Sequence, residues 1–412
     1  NIRVPPCSSV SQPFARIPLP ASIMSGPLKG IRVIELAQIM AGPTCGMLLA
    51  DMGADVIKVE KLPGGDDTRS YSRPSVGGES AAFMMLNRNK RGIAVNLKTP
   101  EGLEVVKRLL ATADVVTENY RKGTLEKLGL GWDVLRELNP RLVYCVVSGY
   151  GRTGPYADKG GFDLILQGFS GLMSITGEPG GAPVKSGSPI ADINAGIFAA
   201  LGVVSALHAR NATGRGQMVD TSLMEAAIQQ TYWQSAIYLA TGENPGPTGS
   251  AHILTAPYQA FHASDGWINI GGANQANWER IAEVIGHPEW RDDPRFRTNT
   301  DRMANLEELV RLMNTVLFTR TRAEWVELFD AAGVPVGPVH SIGEAMTRGS
   351  SPILVSSSRP TVITPVPSPG SVVTPLLSTV VLPLGYSSTQ PWSEGTSVAP
   401  PATLWAVMVT AA

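Results

Sequence analysis

Short apolar runs alternate with helical patterns over residues 24–350. Several of the runs have the length of β-strands, at residues 31–36, 56–59, 93–97, 115–117 and 143–147. Residues 43–52 follow the first run with a helical pattern, and Pro43 suits the first turn of a helix. This alternation predicts an α/β fold whose mostly parallel sheet is covered on both faces by helices.

A further helix is predicted after residue 98 from its N-terminal signals. Thr99 is a typical cap, Pro100 suits the first helical position, and Glu101 suits the positive end of the helix dipole. An apolar stripe follows at helical spacing, made by Leu103, Val106 and Leu110. Together they indicate an amphipathic helix.

The composition indicates a folded protein of two domains, or of one large domain with an insertion. The chain has 412 residues, of which 43% are hydrophobic and 17% charged, so it holds enough apolar material for a core. The formal net charge is −1, from 34 basic and 35 acidic residues, so a nucleic-acid partner is not expected. No uninterrupted run of 18 apolar residues occurs, so a membrane partner is not expected either.

The cysteines and histidines argue against disulfides and metal sites. Cys7, Cys45 and Cys145 form no CxxC pair, and the five histidines include no HExxH motif. We therefore expect no bound metal and a reducing, cytoplasmic location. A mitochondrial location is the alternative if the chain is eukaryotic, because Arg3 and Arg16 occur without acidic residues near the start.

Both terminal segments differ in composition from the rest. Residues 1–23 contain five prolines and neither lysine nor acidic residues, which predicts a disordered extension. Residues 351–412 are rich in Ser, Thr, Pro and Val, and their only charged residues are Arg359 and Glu394. This composition favours out-of-frame translation over an evolved domain, and a genuine flexible tail is the alternative.

Familiar nucleotide-binding motifs are missing, but anion-binding chemistry is present. The chain has no P-loop and no GxGxxG after its first strand; Ala41-Gly42-Pro43 stands there instead, a small-residue turn that suits an anion at a helix N-terminus. Basic residues cluster at predicted strand ends, where an open α/β sheet binds ligands, so they could converge on a polyphosphate. A solvated surface is the alternative for each. These residues are Lys58, Lys61, Arg69, Arg88, Lys90, Arg91, Lys98, Arg121, Lys122 and Lys127.

Two acidic residues stand beside glycine-containing segments. Asp163 ends the loop Gly160-Gly161-Phe162, and Asp192 stands where a long apolar helix is predicted to begin. The ordinary interpretation of Asp192 is a helix N-cap. The alternative is a nucleophile, with nearby amides stabilising charge.

Motifs recur in a fixed order across residues 27–347. They lie at residues 27–36, 41–43, 53–60, 87–91, 118–120, 148–151, 154–155, 170–173, 191–192, 213–217, 257–261 and 333–338. In this order they resemble the motifs of CoA-transferase family III, the CaiB/BaiF group. The resemblance implies a Rossmann-like large domain, a smaller α+β domain, and an interlocked homodimer in which both chains form each active site.

On this resemblance the chain divides into four parts. Residues 1–23 are an extension outside the family, and residues 24–225 are the large CoA-binding domain. Residues 226–347 are a linker and the small domain. Residues 348–412 are an atypical tail, which does not resemble the strands and helix that family members have in this place.

The resemblance also implies the reaction and its substrates. Asp192 matches the catalytic aspartate, whose carboxylate attacks an acyl-CoA thioester and passes through a mixed anhydride and an aspartyl-CoA thioester. The substrates are acyl-CoA and carboxylic acids, so coenzyme A is a substrate and no permanently bound cofactor is expected. Asp163 matches a supporting acidic position, and capping of the following helix is its other interpretation.

Seven positions match CoA-binding positions of the family. Lys61 and Lys127 stand where the family often has arginine, so they keep the charge and lose the bidentate fork. Tyr120 could pack on CoA or belong to the plain core. The seven positions are Ile39, Ala41, Lys61, Lys98, Asn119, Tyr120 and Lys127.

Within the family, residues 249–252 and 257–261 resemble transferases for dicarboxylates such as succinate and glutarate. His252 would then meet a second carboxylate, or it stabilises its own loop. An acyl-CoA racemase or isomerase is one alternative function, but Phe162-Asp163 stands where racemases have His-Asp, so one of their two bases is missing. A catalytically dead CoA-binding protein is the other alternative.

Overall fold

The structure is a computed structural model that describes residues 26–71 and 73–347. Its strands are β1 (Arg32–Glu35), β2 (Asp55–Lys61), β3 (Ser75–Val76), β4 (Glu79–Ser80), β5 (Arg91–Val95), β6 (Val115–Glu118), β7 (Val143–Ser148), β8 (Met218–Ser222), β9 (Tyr258–Ala263), β10 (Gly266–Gly271) and β11 (Val336–Pro338). Its α-helices are α1 (Ala41–Asp51), α2 (Ala81–Leu86), α3 (Pro100–Leu110), α4 (Thr124–Lys127), α5 (Trp132–Leu138), α6 (Asp163–Phe169), α7 (Ile190–Thr213), α8 (Leu223–Gln229), α9 (Tyr232–Thr241), α10 (Gln275–Val284), α11 (Asn299–Ala304), α12 (Leu306–Leu317), α13 (Arg322–Ala331) and α14 (Ile342–Thr347).

The largest sheet has six strands in the order β5-β2-β1-β6-β7-β8. β1 pairs in parallel with β2 and β6, β2 with β5, and β6 with β7. β6 and most of β7 are buried, as parallel strands covered on both faces are. The predicted α/β fold with a mostly parallel central sheet is confirmed.

The packing of the chain divides it into two compact units. The first holds residues 26–146 and 199–221, and the second holds residues 147–198 and 222–347. In the first unit, apolar side chains of the sheet pack with α3, where Val106 and Leu110 are fully buried. In the second unit, the antiparallel sheet β11-β10-β9 and helices α10, α12 and α13 share a core around Phe261, Trp278 and Phe329.

The predicted start of α3 is confirmed at its cap. The Thr99 hydroxyl accepts a hydrogen bond from the Gly102 backbone N–H at 3.2 Å, and Pro100 begins the helix. The strand before it, β5, lies two residues nearer the N-terminus than predicted. Asn96 ends the strand because its side chain accepts from the Lys98 N–H at 3.0 Å and starts a turn.

Some expectations are not decided by the fold. The predicted domain boundaries at residues 24–225 and 226–347 stay predictions, and residues 1–23 and 348–412 lie outside the described residues. In the described part of the chain, α7 is long and apolar enough to span a membrane. Core helices of folded proteins share this property, and half of its most apolar window is buried.

Gly46→Ala is expected to destabilise the fold strongly, because a Cβ at this position of α1 would lie 1.8 Å from Oε2 of the buried Glu35. The matched control is Gly168→Ala in α6, where the nearest atom to a Cβ is the Met173 sulfur at 3.6 Å. We expect Gly46→Ala to lower the free energy of unfolding by roughly 2–4 kcal/mol. Gly168→Ala should be neutral or stabilising by up to about 1 kcal/mol. Urea unfolding measures both, and equal stabilities would contradict the packing described.

Candidate active site

The turn between β1 and α1 is held from two sides. The Asn119 side chain accepts a hydrogen bond from the Gln38 backbone N–H at 2.9 Å and donates one to the Gln38 carbonyl at 2.8 Å. The Ile39 N–H donates to the Asp66 carboxylate at 3.3 Å. Ile39 has a φ of 66°, in the left-handed region that β-branched residues avoid. The predicted positions Ile39, Ala41 and Asn119 thus come together: Ile39 lies in the turn, Ala41 is the buried first residue of α1, and Asn119, just after β6, holds the turn.

Lys58 is buried in β2 and bonds to the backbone that leads into this turn. Its Nζ donates to Glu35 Oε1 at 2.9 Å and to the Ala37 carbonyl at 2.8 Å, and lies 2.8 Å from Asp66 Oδ2. Burial alone would lower the pKa of Lys58, but the two carboxylates outweigh burial and raise the pKa above its usual value. Lys58 is therefore a structural cation.

Lys90 completes this arrangement. Its Nζ lies 2.8 Å from Glu35 Oε2 and donates to the Pro43 carbonyl at 2.9 Å. Burial lowers the pKa of Lys90, although Glu35 opposes the shift. With two charges of each sign, the group is balanced. We call it the buried charge cluster, and its members are Glu35, Lys58, Asp66 and Lys90.

Other cations that the sequence offered as polyphosphate ligands are paired within the protein. Arg69 forms two hydrogen bonds to the Glu60 carboxylate, at 2.6 and 2.8 Å. Arg88 pairs with Asp51, and Arg91 pairs with Asp55. The predicted convergence on a ligand therefore does not include these three arginines, and its remaining candidates include the lysines Lys61, Lys98 and Lys127.

A cleft of about 570 Å³ in the first unit gathers those lysines. Four of the seven predicted CoA positions line it: Lys61, Lys98, Tyr120 and Lys127. Sequence reasoning missed Gln38 and Asn96, which also line it. The signal for both is their place shortly after a strand, Gln38 in the turn after β1 and Asn96 directly after β5, since ligands gather at the carboxyl ends of parallel strands.

The cleft combines free positive charge with an apolar wall. Lys98 and Lys127 are exposed, and neither forms an ion pair with any residue in the described ranges, whereas Lys61 pairs with Asp67. Tyr120 is half-buried, and burial raises the pKa of its phenol, which keeps the ring neutral. Such a cleft suits a ligand that carries phosphates beside a less polar part.

Asp192 is the third residue of α7 and is half-buried. It does not cap the helix. The cap comes from Asp163, whose Oδ1 accepts from the backbone N–H of Ala191 at 2.9 Å and of Asp192 at 3.4 Å. Asp163 therefore caps α7, although it is itself the first residue of α6. The Asp192 carboxylate accepts no hydrogen bond from the described part of the chain.

The ionisation of Asp192 is unusual for a carboxylate. Burial, and then the negative charge of Asp163, raise the pKa of Asp192 from 3.8 to about 7. The protonated and the ionised form of Asp192 are therefore both populated near neutral pH. A carboxylate that is costly to ionise is a more reactive nucleophile than one stabilised by water or cations.

The first turn of α7 leaves none of its amides free. Each N–H has an acceptor within the protein: Ile190 donates to Ser188, Ala191 and Asp192 donate to Asp163, and Ile193 donates to Pro189. The hypothesis that amides beside Asp192 stabilise developing charge therefore has no donor in this turn. An oxyanion formed there needs donors from another segment.

Two glycines explain how Asp163 reaches this helix. A Cβ on Gly161 would lie 2.8 Å from the Gly149 Cα, and a Cβ on Gly149 would lie 2.9 Å from the Gly161 Cα. The two loops therefore approach backbone to backbone, which only glycine permits. Phe162, the next residue, is 70% exposed and brings no titratable group.

His252 supports its own loop. Its Nδ1 accepts a hydrogen bond from the Leu254 N–H at 3.1 Å and lies 3.0 Å from the Thr255 hydroxyl. Its ring also packs edge-on against Tyr258, with 5.3 Å between the centroids. This geometry favours the loop-stabilising interpretation over a substrate contact.

Helix α9 carries apolar side chains but has no buried residue. Its exposed residues include Tyr232, Trp233, Tyr238 and Leu239. Such a surface is typical of a protein interface. The homodimer implied by the resemblance stays a prediction.

Residues 26–71 and 73–347 contain no group of three His, Cys, Asp or Glu side chains that could hold a metal ion.

These features define a class of protein: an α/β protein with a cationic cleft at the strand ends of its first unit and, in its second unit, an aspartate whose pKa is raised by burial and by a second carboxylate. The chain belongs to CoA-transferase family III, whose family model matches residues 28–358. It is 43% identical over 324 residues to the succinate–glutarate CoA-transferase of Agrobacterium fabrum, covering 77% of this chain and 81% of the relative. It is 39% identical over 322 residues to the succinyl-CoA:glutarate CoA-transferase of Mus musculus, covering 78% and 74%.

A solved structure agrees with this assignment. The crystal structure of a CaiB/BaiF family protein from Brucella suis matches with a TM-score of 0.73 and 38% identity, covering 84% of this chain and 93% of that one. The predicted family and the CoA-transferase class are confirmed. The individual site residues stay predictions.

Asp192→Asn is expected to stabilise the protein in a pH-dependent way. Between about pH 4 and about pH 7 the folded chain keeps a proton on Asp192 that the unfolded chain releases, so wild-type stability falls as the pH rises through this window. Asp192→Asn removes this loss of stability. The free energy of unfolding of the variant should therefore exceed that of the wild type by an amount that grows to the order of 2–4 kcal/mol at pH 8. Unfolding at pH 5 and pH 8 measures it, with the exposed Asp133→Asn as control. An advantage that is equal at both pH values would contradict the environment described for Asp192.

Proposed function

We propose that this protein moves CoA from an acyl-CoA donor, such as succinyl-CoA, to a carboxylic acid acceptor through covalent intermediates on Asp192. The observation that carries the proposal is the state of the Asp192 carboxylate. It is half-buried, it has no hydrogen-bond donor among the described residues, and its negative form is disfavoured beside Asp163. A carboxylate with this environment has its lone pairs available for attack on a carbonyl.

The proposed reaction begins with attack of an Asp192 oxygen on the thioester carbonyl. The C–O bond forms and the C–S bond breaks, which gives a mixed anhydride and CoA thiolate. The thiolate then attacks the Asp192 carbonyl carbon of the anhydride and releases the donor as a carboxylate. Asp192 now carries CoA as a thioester.

The second half of the reaction repeats these steps with the acceptor. The acceptor carboxylate attacks the aspartyl thioester and expels CoA thiolate, which leaves a second mixed anhydride. The thiolate attacks the acyl carbon of the acceptor, and Asp192 leaves as a free carboxylate. Every intermediate is prone to hydrolysis, so water must be kept from Asp192 during turnover.

The choice of substrates rests on the relatives. Proteins that are 43% and 39% identical carry the names succinate–glutarate and succinyl-CoA:glutarate CoA-transferase. We therefore propose a dicarboxylate as one of the substrates. Phe162 also favours transfer over racemisation, because its ring cannot accept an α-proton.

We assign the CoA phosphates to the lysine cleft of the first unit. Lys98 and Lys127 are exposed there without a carboxylate partner in the described chain, and Tyr120 provides an uncharged ring beside them. Lysine binds phosphate as a point charge, so each contact contributes modest affinity.

Covalent trapping tests the role of Asp192. After incubation with succinyl-CoA, hydroxylamine should convert the aspartyl thioester into a hydroxamate, which peptide mass mapping locates. We expect the hydroxamate at Asp192, its loss in Asp192→Ala, and its retention in the exposed control Asp133→Ala. An enzyme that turns over while the Asp192 peptide stays unmodified would refute the covalent mechanism.

Calorimetric titration with CoA tests the lysine cleft. Lys98→Ala and Lys127→Ala should each weaken CoA binding roughly fivefold, about 1 kcal/mol, and the loss should shrink at high salt. Lys127→Arg should bind CoA at least as tightly as the wild type, because the guanidinium can form a second parallel hydrogen bond to a phosphate. Lys29→Ala, which lies outside the cleft, is the control. Equal affinity in all four variants would place the phosphates elsewhere.

A further inference from the structure

Gln167 is a buried polar residue with no role in the proposed reaction steps. It lies on α6, one helical turn after Asp163, and is 1% exposed. Its Nε2 donates to Asp163 Oδ2 at 2.6 Å, and its Oε1 accepts from the Ser186 backbone N–H at 2.8 Å. Both ends of one amide therefore have partners.

The chemistry of these partners fixes the orientation of the amide. The Ser186 backbone N–H can only donate, so it must face the Gln167 oxygen. The Gln167 NH₂ group must then face Asp163, which has to accept. Together with the backbone N–H groups of Ala191 and Asp192, Gln167 makes three donors that converge on one carboxylate.

We propose that Gln167 is a positioning residue for the CoA-transfer reaction, which holds Asp163 as a hydrogen-bond acceptor under the first turn of the helix that carries Asp192. Three donors hold the Asp163 oxygens in place, and their positive ends partly offset the negative charge that Asp163 places beside Asp192. The proposal rests on Asp192 as the reacting group.

Other charged groups near this cluster already have partners. Helix α8, which packs against α6, carries one titratable side chain, Glu225, whose carboxylate accepts from the Ser222 N–H and hydroxyl at 2.9 and 3.0 Å. The 3₁₀ turn Leu172–Ser174, also packed against α6, carries none. Before α7, Lys185 is exposed and donates to the Ser186 carbonyl at 3.0 Å.

The direction of the effect follows from the negative charge that Asp163 places beside Asp192. Without the Gln167 donor, one hydrogen bond fewer offsets that charge, so the pKa of Asp192 should rise. Removing the charge of Asp163 has the opposite effect, because Asp192 then ionises beside a neutral group.

The experiment measures the acid limb of kcat/KM in Gln167→Met, which keeps the volume of the side chain and loses the donor. We expect its midpoint to rise by about half to one pH unit. Gln167→Asn, too short to reach both partners, should shift in the same direction and serves if the Met variant does not fold. Asp163→Asn should lower the midpoint, and the exposed control Gln230→Met should leave it unchanged.

A second measurement separates this inference from the proposed function. Carbon-13 NMR of protein labelled at the aspartate carboxyl reports the pKa of Asp192 directly, with its resonance assigned by Asp192→Asn. If the Gln167 variants leave that pKa and the acid limb unmoved and only lower kcat, Gln167 is merely structural and the inference is overturned. If the Asp192 pKa rises while the acid limb does not follow, Gln167 acts as inferred and Asp192 is not the reacting group.

Discussion

The buried charge cluster determines the shape of the first βα turn. Two lysines and two carboxylates lie out of water, and such a group is stable only while every member keeps its partner; loss of one leaves an uncompensated buried charge, at a cost of about 3–5 kcal/mol. The same lysines also bond to the Ala37 and Pro43 carbonyls. The cluster therefore fixes the backbone on both sides of Ile39, and the left-handed conformation of Ile39 persists because its neighbours determine it.

A different carboxylate governs the first turn of α7. A free helix N-terminus favours a nearby negative charge and would lower the pKa of an aspartate placed there. Asp163 occupies the amides of Ala191 and Asp192, and it adds its own negative charge. Burial of Asp192, and then the charge of Asp163, outweigh the usual effect of a helix N-terminus and raise the pKa of Asp192 to about 7. An aspartate in the first turn of a helix becomes a candidate nucleophile because another residue performs the capping.

The sequence predicted the parts of this protein that depend on local pattern. The strands around β1, the cap at Thr99 and the parallel sheet follow from apolar runs and helix signals, which act over a few residues. The sequence could not predict which basic residues form ion pairs within the protein and which line the cleft, because the pairing depends on residues that are distant in the sequence. Lys58 and Lys61 stand three positions apart, yet one lies in the buried charge cluster and the other lines the cleft. Only the fold brings Glu35 to the first of them.

The same dependence on distant partners explains why the sequence predicts a role for Asp163 and none for Gln167. Asp163 stands beside a glycine-rich loop and a recognisable motif, but a glutamine inside a short helix carries no signal of its own. Its importance arises when α6 and the segment before α7 meet, so that one amide spans Asp163 and Ser186. Glycines at 149 and 161 permit the close approach of the adjoining loops. The raised pKa of Asp192 is therefore a property of the packed loops and helix ends around it. Without them, the Asp192 carboxyl group would have an ordinary pKa.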